Sequence, residues 1–369
     1  MNSGGLAGPH GRYGTDPLKN FYSGKKVLIT GHTGFKGSWL CRLLHDFGAD
    51  VYGYSLEPPT DPSLFEIIKV DQYVKTKNGD ITDYESLAEF YRQTKPDIVF
   101  HLAAQPIVKE GYRNPRLTYN TNVMGTVNIL ECVRQYGAGS FLNVTTDKVY
   151  DNIEDYSHMY TEDERLDGFD PYSNSKSCSE LVTHSYVRSF SQNMCPVSTA
   201  RAGNVIGGGD FAADRIIPDC VRAAISGKDV ILRNPNSIRP YQHVLEPLFS
   251  YLTIAMEQFK DPKYAGNYNI GPEKEDCVTT GQIAEMFCNH WGNGMKWKCT
   301  DSNGPHEANY LKLDNSKIKS VLGISPLWDI SAAVEKTVEW TRAWVEDKDM
   351  IDYTDMQIKE YLKGRGISV

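Results

Sequence analysis

Two short groups of side chains have types and spacings that can do chemistry together. Tyr172 and Lys176 lie four residues apart, so on a helix they share one face. A phenol titrates near ~10 and is a poor base at neutral pH. A neighbouring cation, such as an ammonium or an oxidised nicotinamide, favours phenolate and makes it a usable one. Upstream, Thr146, Asp147 and Lys148 place a hydroxyl, a carboxyl and an amine in successive positions. At the carboxyl end of a strand, all three would open onto the cleft that Tyr172 faces. Taken singly, a Tyr–Lys pair is a common accident and an Asp–Lys pair is a solvated strand end.

A third group gives these two a context. Gly31-x-x-Gly34-x-x-Gly37 carries Thr33, Phe35 and Lys36 between its glycines. Glycines at this spacing allow a tight turn, close backbone approach to a pyrophosphate, and close helix–strand packing. The free amides and positive dipole end of the following helix attract phosphate. Leu102, Ala103 and Ala104 follow another strand and leave room for a cofactor. Asp80 and Ile81 suit an adenine-side contact, although Asp80 reads equally well as a turn aspartate. The strand at 51–54 ends in Ser55 rather than the Asp or Glu that holds an NAD ribose. Glu57 is the carboxylate within reach, and no arginine adjoins it to favour a 2′-phosphate. Asn204, Arg215, Arg233 and Arg239 sit among later glycines and prolines. Guanidinium groups there suit a diphosphate bidentately, and as a group they fit a nucleotide-sugar.

The elements that must position these residues follow from periodicity. Short β-branched runs at 25–30, 51–54, 97–102, 141–145 and 197–202 read as buried parallel strands. Helical patterns at 35–47, 84–94, 121–135 and 172–190 alternate with them, which predicts an α/β, doubly wound parallel sheet of Rossmann type. Past 203 the rhythm shortens around Gly207, Gly208, Gly209, Pro235 and Pro240. Helices at 216–226, 246–258, 280–290 and 330–345 predict a smaller C-terminal α/β substrate lobe. Residues 1–20 read as a flexible N-terminal extension, 21–203 as the dinucleotide-binding domain, and 204–369 as mainly the substrate lobe, with the chain free to cross between them.

Composition excludes several classes. The chain has 369 residues and a formal charge of -8, with no basic block, which argues against nucleic acid. No apolar stretch approaches the ~20 residues that span a bilayer, and the N-terminus lacks a signal peptide's basic and apolar regions. Eight scattered cysteines without a C-x-x-C pair argue against a metal site and fit reduced thiols in the cytoplasm.

Gly31-x-x-Gly34-x-x-Gly37 with Tyr172-x-x-x-Lys176 resembles the extended short-chain dehydrogenase/reductase family. Longer segments narrow the resemblance to its nucleotide-sugar dehydratases, and among them the CDP-glucose 4,6-dehydratase branch. These segments run 30–39, 104–106, 122–126, 170–176, 201–210, 243–247 and 310–314. The chain departs from that branch at Val149, Phe211, Tyr241 and Asn309. The resemblance implies NAD as cofactor, a nucleotide-sugar such as CDP-glucose as substrate, and a lyase that recycles its own NAD. It implies Tyr172 as base assisted by Thr146, Lys176 on the nicotinamide ribose, Lys148 as base at C5 and Asp147 as acid at C6. It adds Gln105, His306 and Tyr310 as substrate contacts. It implies a homodimer or homotetramer, packed through helices within 122–135 and 172–190, and a product destined for deoxysugars of O-antigen or another surface polysaccharide. An epimerase or a dehydratase acting on dTDP-, UDP- or GDP-hexoses, and a non-catalytic NAD-binding sensor, remain as alternatives.

Overall fold

A computed structural model describes residues 17–300 and 310–367. Seven strands build the central sheet: β1 Lys26–Thr30, β2 Asp50–Ser55, β3 Lys75–Asn78, β4 Ile98–His101, β5 Ser140–Thr146, β6 Val197–Ala202 and β7 Asn267–Ile270. Their spatial order is β7-β6-β5-β4-β1-β2-β3, and every neighbouring pair is parallel. The order reverses at β1, which lies between β2 and β4. A parallel sheet of this kind opens a crevice beside such a reversal, outside the carboxyl ends of the strands. Register brings those ends level, with Thr30 opposite both Tyr54 and His101, and Thr146 opposite Ala202.

Alternation along the strands divides the core. Val27 and Ile29 of β1 and Ile98 and Phe100 of β4 face a cluster built with the helices Phe35–Asp46, Leu245–Lys260 and Met350–Gly364. Leu28 and Val99 face the opposite side, under Tyr84–Thr94 and Gly125–Tyr136. Because both faces are covered there, β1 and β4 read as near-continuous apolar runs.

The region after 203 holds its own cluster of Ile217, Val221, Leu232, Tyr241, Ile283 and Phe287. The helix Ile330–Val345 joins the two units. Its Val334 and Val338 belong to the small cluster, and its Trp340 and Ala343 to the large one. The chain also crosses back outright. Gln258, in the helix Leu245–Lys260, donates to the Phe141 carbonyl and the Ser140 hydroxyl of β5 at 2.9 and 2.7 Å, and β7 completes the main sheet.

One local expectation changes. Residues 17–20, read as part of the extension, begin the helix Pro17–Tyr22, where Leu18 is buried and Tyr22 donates to the Leu252 carbonyl at 2.8 Å. The remainder of that extension, residues 1–16, lies outside the described residues, as does the substrate contact expected at His306.

Candidate active site

The glycine loop leaves β1 and enters the helix Phe35–Asp46. Gly31 has φ +77°, and a Cβ there would stand 2.7 Å from the backbone nitrogen of Ala103. A Cβ on Gly37 would stand 2.3 Å from the Gly31 carbonyl oxygen. Both glycines are therefore demanded by backbone packing. Gly34 differs: its Cβ would meet nothing closer than the Gly31 carbonyl at 3.5 Å. It caps the helix with no side-chain hydrogen bond, so the first-turn amides stay open toward the crevice. That cradle fits a dinucleotide pyrophosphate.

The ends of β2 and β4 flank the loop. Thr33 turns its hydroxyl onto Ser55 (2.8 Å) and the Leu56 carbonyl (2.9 Å). Asn78 donates to Glu57 beside them. Asp80 accepts from the backbone and hydroxyl of Thr82, the turn role already open to it, and Ile81 is buried against Gly125. Leu102, Ala103 and Ala104 continue from β4. Gln105, implied as a substrate contact, has its side-chain amide bonded to the helix Pro115–Tyr119 and to its own loop. Its nitrogen donates to Thr118 at 2.8 Å and its oxygen accepts from the Ile107 amide at 2.6 Å.

The reacting groups gather where β5 ends. Thr146 hydrogen-bonds Asp147 at 2.9 Å, and Asp147 to Val149 make a single 3₁₀ turn. The other oxygen of Asp147, Oδ2, is buried with no hydrogen-bond partner. Burial raises this carboxyl above the usual carboxylate range, against the pull of Lys148, Thr146 and Arg239. Protonated, it is a hydrogen-bond donor facing a site. Asp170 caps the helix Pro171–Ser189 by accepting from the Tyr172 and Ser173 amides, which sets that helix against the turn.

Tyr172 has its phenol pushed up to about 12 by burial, opposed by a hydrogen bond with Thr146 and by Arg215. Lys176 follows one helical turn later. Its ammonium donates to the Val144 carbonyl at 3.0 Å, and burial lowers it to about 8 against the pull of Glu180. Arg215 is the cation that acts on the phenol here. Lys36 also belongs to this group. Burial, Arg215 and Lys176 bring it down to about 8, while Asp147 and Asp210 act in the other direction.

The remaining candidates divide. Arg215 pairs with Asp210 at 3.2 Å and faces the centre, and buried Arg239 acts on Asp147. Arg233 pairs with Asp214 at 3.3 Å on a half-exposed rim. Asn204 accepts from the Gln242 amide through its carbonyl. Tyr310 is buried, bridges Ile238 and packs on Tyr156 at 4.9 Å, which places it beside Arg239 in the chain's lobe. Of the departures from the CDP-glucose branch, Val149 and Tyr241 are core residues and Phe211 packs on Trp344 at 4.9 Å, while Asn309 lies outside the described residues.

Sequence reading missed one ion pair. Arg201 and Glu180 are both fully buried and paired at 3.0 Å directly behind the turn. The available signal was a single charged residue inside the strand at 197–202.

Comparison with known proteins agrees with this geometry. The family model described as GDP-mannose 4,6 dehydratase matches residues 28–337. CDP-glucose 4,6-dehydratase of Salmonella typhimurium is 46% identical over 352 residues, covering 93% of this chain and 98% of its own. Among solved structures, dTDP-glucose 4,6-dehydratase from Bacillus anthracis in complex with NAD superimposes with a TM-score of 0.73 at 22% identity, covering 88% of this chain and 99% of that one. UDP-glucose 4-epimerase from Thermotoga maritima with UDP-glucose gives 0.76 at 23% identity, covering 86% and 99%. The chain belongs to the nucleotide-sugar dehydratase family that the GDP-mannose 4,6 dehydratase model describes.

Proposed function

We propose that this protein is a CDP-glucose 4,6-dehydratase, converting CDP-glucose to CDP-4-dehydro-6-deoxyglucose with a bound NAD. The observation that carries the reading is the buried Asp147 beside Lys148, facing Tyr172: an acid and a base beyond what a simple dehydrogenase needs. Epimerases of this fold generally lack such a pair, and the relative at 46% identity is a CDP-glucose enzyme.

Oxidised nicotinamide, when bound, supplies an acceptor for the C4 hydride, its later donor to C6, and a positive charge beside the phenol. Tyr172 takes the proton of the sugar 4-hydroxyl, with Thr146 sharing the hydrogen bond. The 4-ketone acidifies the C5 proton, which Lys148 removes. Asp147, whose burial makes its carboxyl hold a proton more tightly, gives that proton to the departing C6 hydroxyl, and water leaves. Lys176 holds the nicotinamide ribose. Arg215, Arg233 and Arg239 offer the charge a diphosphate requires.

The test is incubation with CDP-, dTDP-, UDP- and GDP-hexoses in deuterated water. The expected result is a 4-keto-6-deoxy product from CDP-glucose, deuterated at C5, without net NADH. A C4 epimer without C5 exchange, or no conversion at all, would overturn the reading.

Two accessory readings follow. The helices Pro115–Tyr119 and Pro171–Ser189 and the π-helical turn Asn120–Met124 leave Leu117, Leu181 and Met124 close to half exposed, beside a concave surface lined by Tyr119, Val123 and Cys178. A second copy of this chain covers that face, giving a homodimer or a pair of dimers. Light scattering on Leu181→Glu checks it: the variant should run as a smaller species, and an unchanged mass would refute the interface. A cytoplasmic setting fits the eight free cysteines.

A further inference from the structure

Behind the acid–base turn lies a buried ionic cluster that the reaction as written does not use. Glu180 sits one helical turn beyond Lys176, and no part of its side chain reaches solvent. Its carboxylate accepts two parallel bonds from Arg201, Nε and Nη2, each at 3.0 Å. It also accepts from the Thr145 hydroxyl at 2.5 Å and lies 3.5 Å from His184. The third arm of Arg201, Nη1, donates to the Tyr150 hydroxyl at 2.9 Å and to the Glu162 carbonyl at 2.8 Å. Tyr150 in turn donates to Asn269 of β7 at 2.6 Å.

The placement is the point. Thr145 and Tyr150 flank residues 146–149, so one ion pair grips the turn at both ends. The same carboxylate is carried by the helix that presents Tyr172 and Lys176. Two buried charges are costly to desolvate and are kept where their geometry is nearly ideal. This pair is bidentate, and Arg201 makes two further bonds through Nη1 while Glu180 accepts from Thr145 as well.

We propose that Glu180 is a positioning residue for the dehydration: held by Arg201, it clamps Thr145 and supplies the counter-charge of Lys176, keeping the acid–base turn and the Tyr172–Lys176 pair in one frame. The proposal rests on the assignment of Tyr172, Lys176 and the turn as reacting groups. The titratable groups acting on or felt by Lys176 are Glu180 on its own helix, Lys36 on the glycine-loop helix, and His101 on β4. His101 is neutral, held down to about 3 by burial and by Lys176. Lys36 repels the charged form, so Glu180 is the group that favours it. Across the cleft Asp147 acts on Lys36.

The experiment uses the full-length enzyme with CDP-glucose. Thr145→Val keeps side-chain shape and removes the hydroxyl; Thr145→Ser restores the hydroxyl. The expected result is a kcat lower by about tenfold in Thr145→Val with KM within about twofold, and near wild-type turnover in Thr145→Ser, because the lost interaction acts in the reaction and not in substrate binding. Glu180→Gln adds a second readout. Without the carboxylate Lys176 gives up its proton more easily, so the alkaline limb of kcat should move to lower pH. Should Glu180→Gln fail to fold around the unpaired Arg201, the Thr145 pair still decides. A folded Thr145→Val with wild-type kcat, or an equal loss in Thr145→Val and Thr145→Ser, overturns the proposal. Tyr172→Phe serves as the separate control: wild-type turnover there would sink the assignment of the reacting groups instead.

Discussion

Asp147 and Lys148 make the division of labour in the site testable. Asp147→Asn keeps shape and removes the acid, so elimination should fall by about 10²–10⁴-fold. C4 oxidation should continue, and single-turnover mixing should show reduced nicotinamide building up. Lys148→Ala should also stop after oxidation, with the further loss of deuterium exchange at C5. Unchanged turnover in either variant would remove that residue from the mechanism. The raised carboxyl of Asp147 fixes a direction of pH dependence. The acid form is the working one, so elimination should decline as pH rises through its elevated pKa. At this scale the sequence was informative where chemistry leaves a pattern. Tyr172, Lys176 and residues 146–148 were legible from spacing and strand position. The Glu180–Arg201 pair was not, because its members are 21 residues apart in the chain and meet only when β6 lies beside β5. Lys36 was legible as a loop residue, but its place among Asp147, Arg215 and Lys176 needed the fold.

The glycine loop makes its predictions as an element. Gly31→Ala and Gly37→Ala would drive a Cβ into backbone atoms at 2.7 and 2.3 Å, so both should lower the unfolding midpoint. Gly31→Ala carries the added strain of φ +77°, of order 1–3 kcal/mol. Gly34→Ala has room, and should melt like wild type while losing dinucleotide on gel filtration. Equal destabilisation in all three would show that the loop serves packing alone. Most elements were visible beforehand: the helices Tyr84–Thr94 and Ile330–Val345 and the strand β6 fall on the expected residues. Two sheet strands were not. β3 reads Lys-Thr-Lys-Asn and is exposed at all four positions, so it has no apolar signature to detect. β7 reads Asn-Tyr-Asn-Ile, with asparagine at two of its four positions, one of them buried, and their polarity masks the strand. Asn269 is buried because it bonds the Tyr160 and Asp314 carbonyls, a partnership no local pattern reveals.

Across the whole molecule, three buried histidines set the acid limit of stability. Burial holds His32 at about 4, and His101 and His243 at about 3, against an ordinary value of 6.5. Each is neutral in the folded protein, and the unfolded chain takes up the protons first. Stability should therefore fall as pH drops below about 6.5, by ~1.4 kcal/mol per pH unit for each histidine until its folded value is approached. Melting curves between about pH 7 and 5 would show it, and His243→Asn should reduce the slope by about a third. A slope unaffected by that change would remove His243 from the account.

β7 has a consequence for how the chain is made. The ribosome delivers β6 first, and its partner arrives 64 residues later, after the whole segment 203–266. Until then β6 presents a row of unpaired amides and carbonyls, and the β5 groups that bond Gln258 lack it too. The dinucleotide-binding half is therefore unfinished when its last early strand emerges, and late pairing of this kind is slow and prone to sticking between chains. Nascent chains stalled at residue 260 should be protease-sensitive and aggregation-prone, and those long enough to expose 280 outside the ribosome should not.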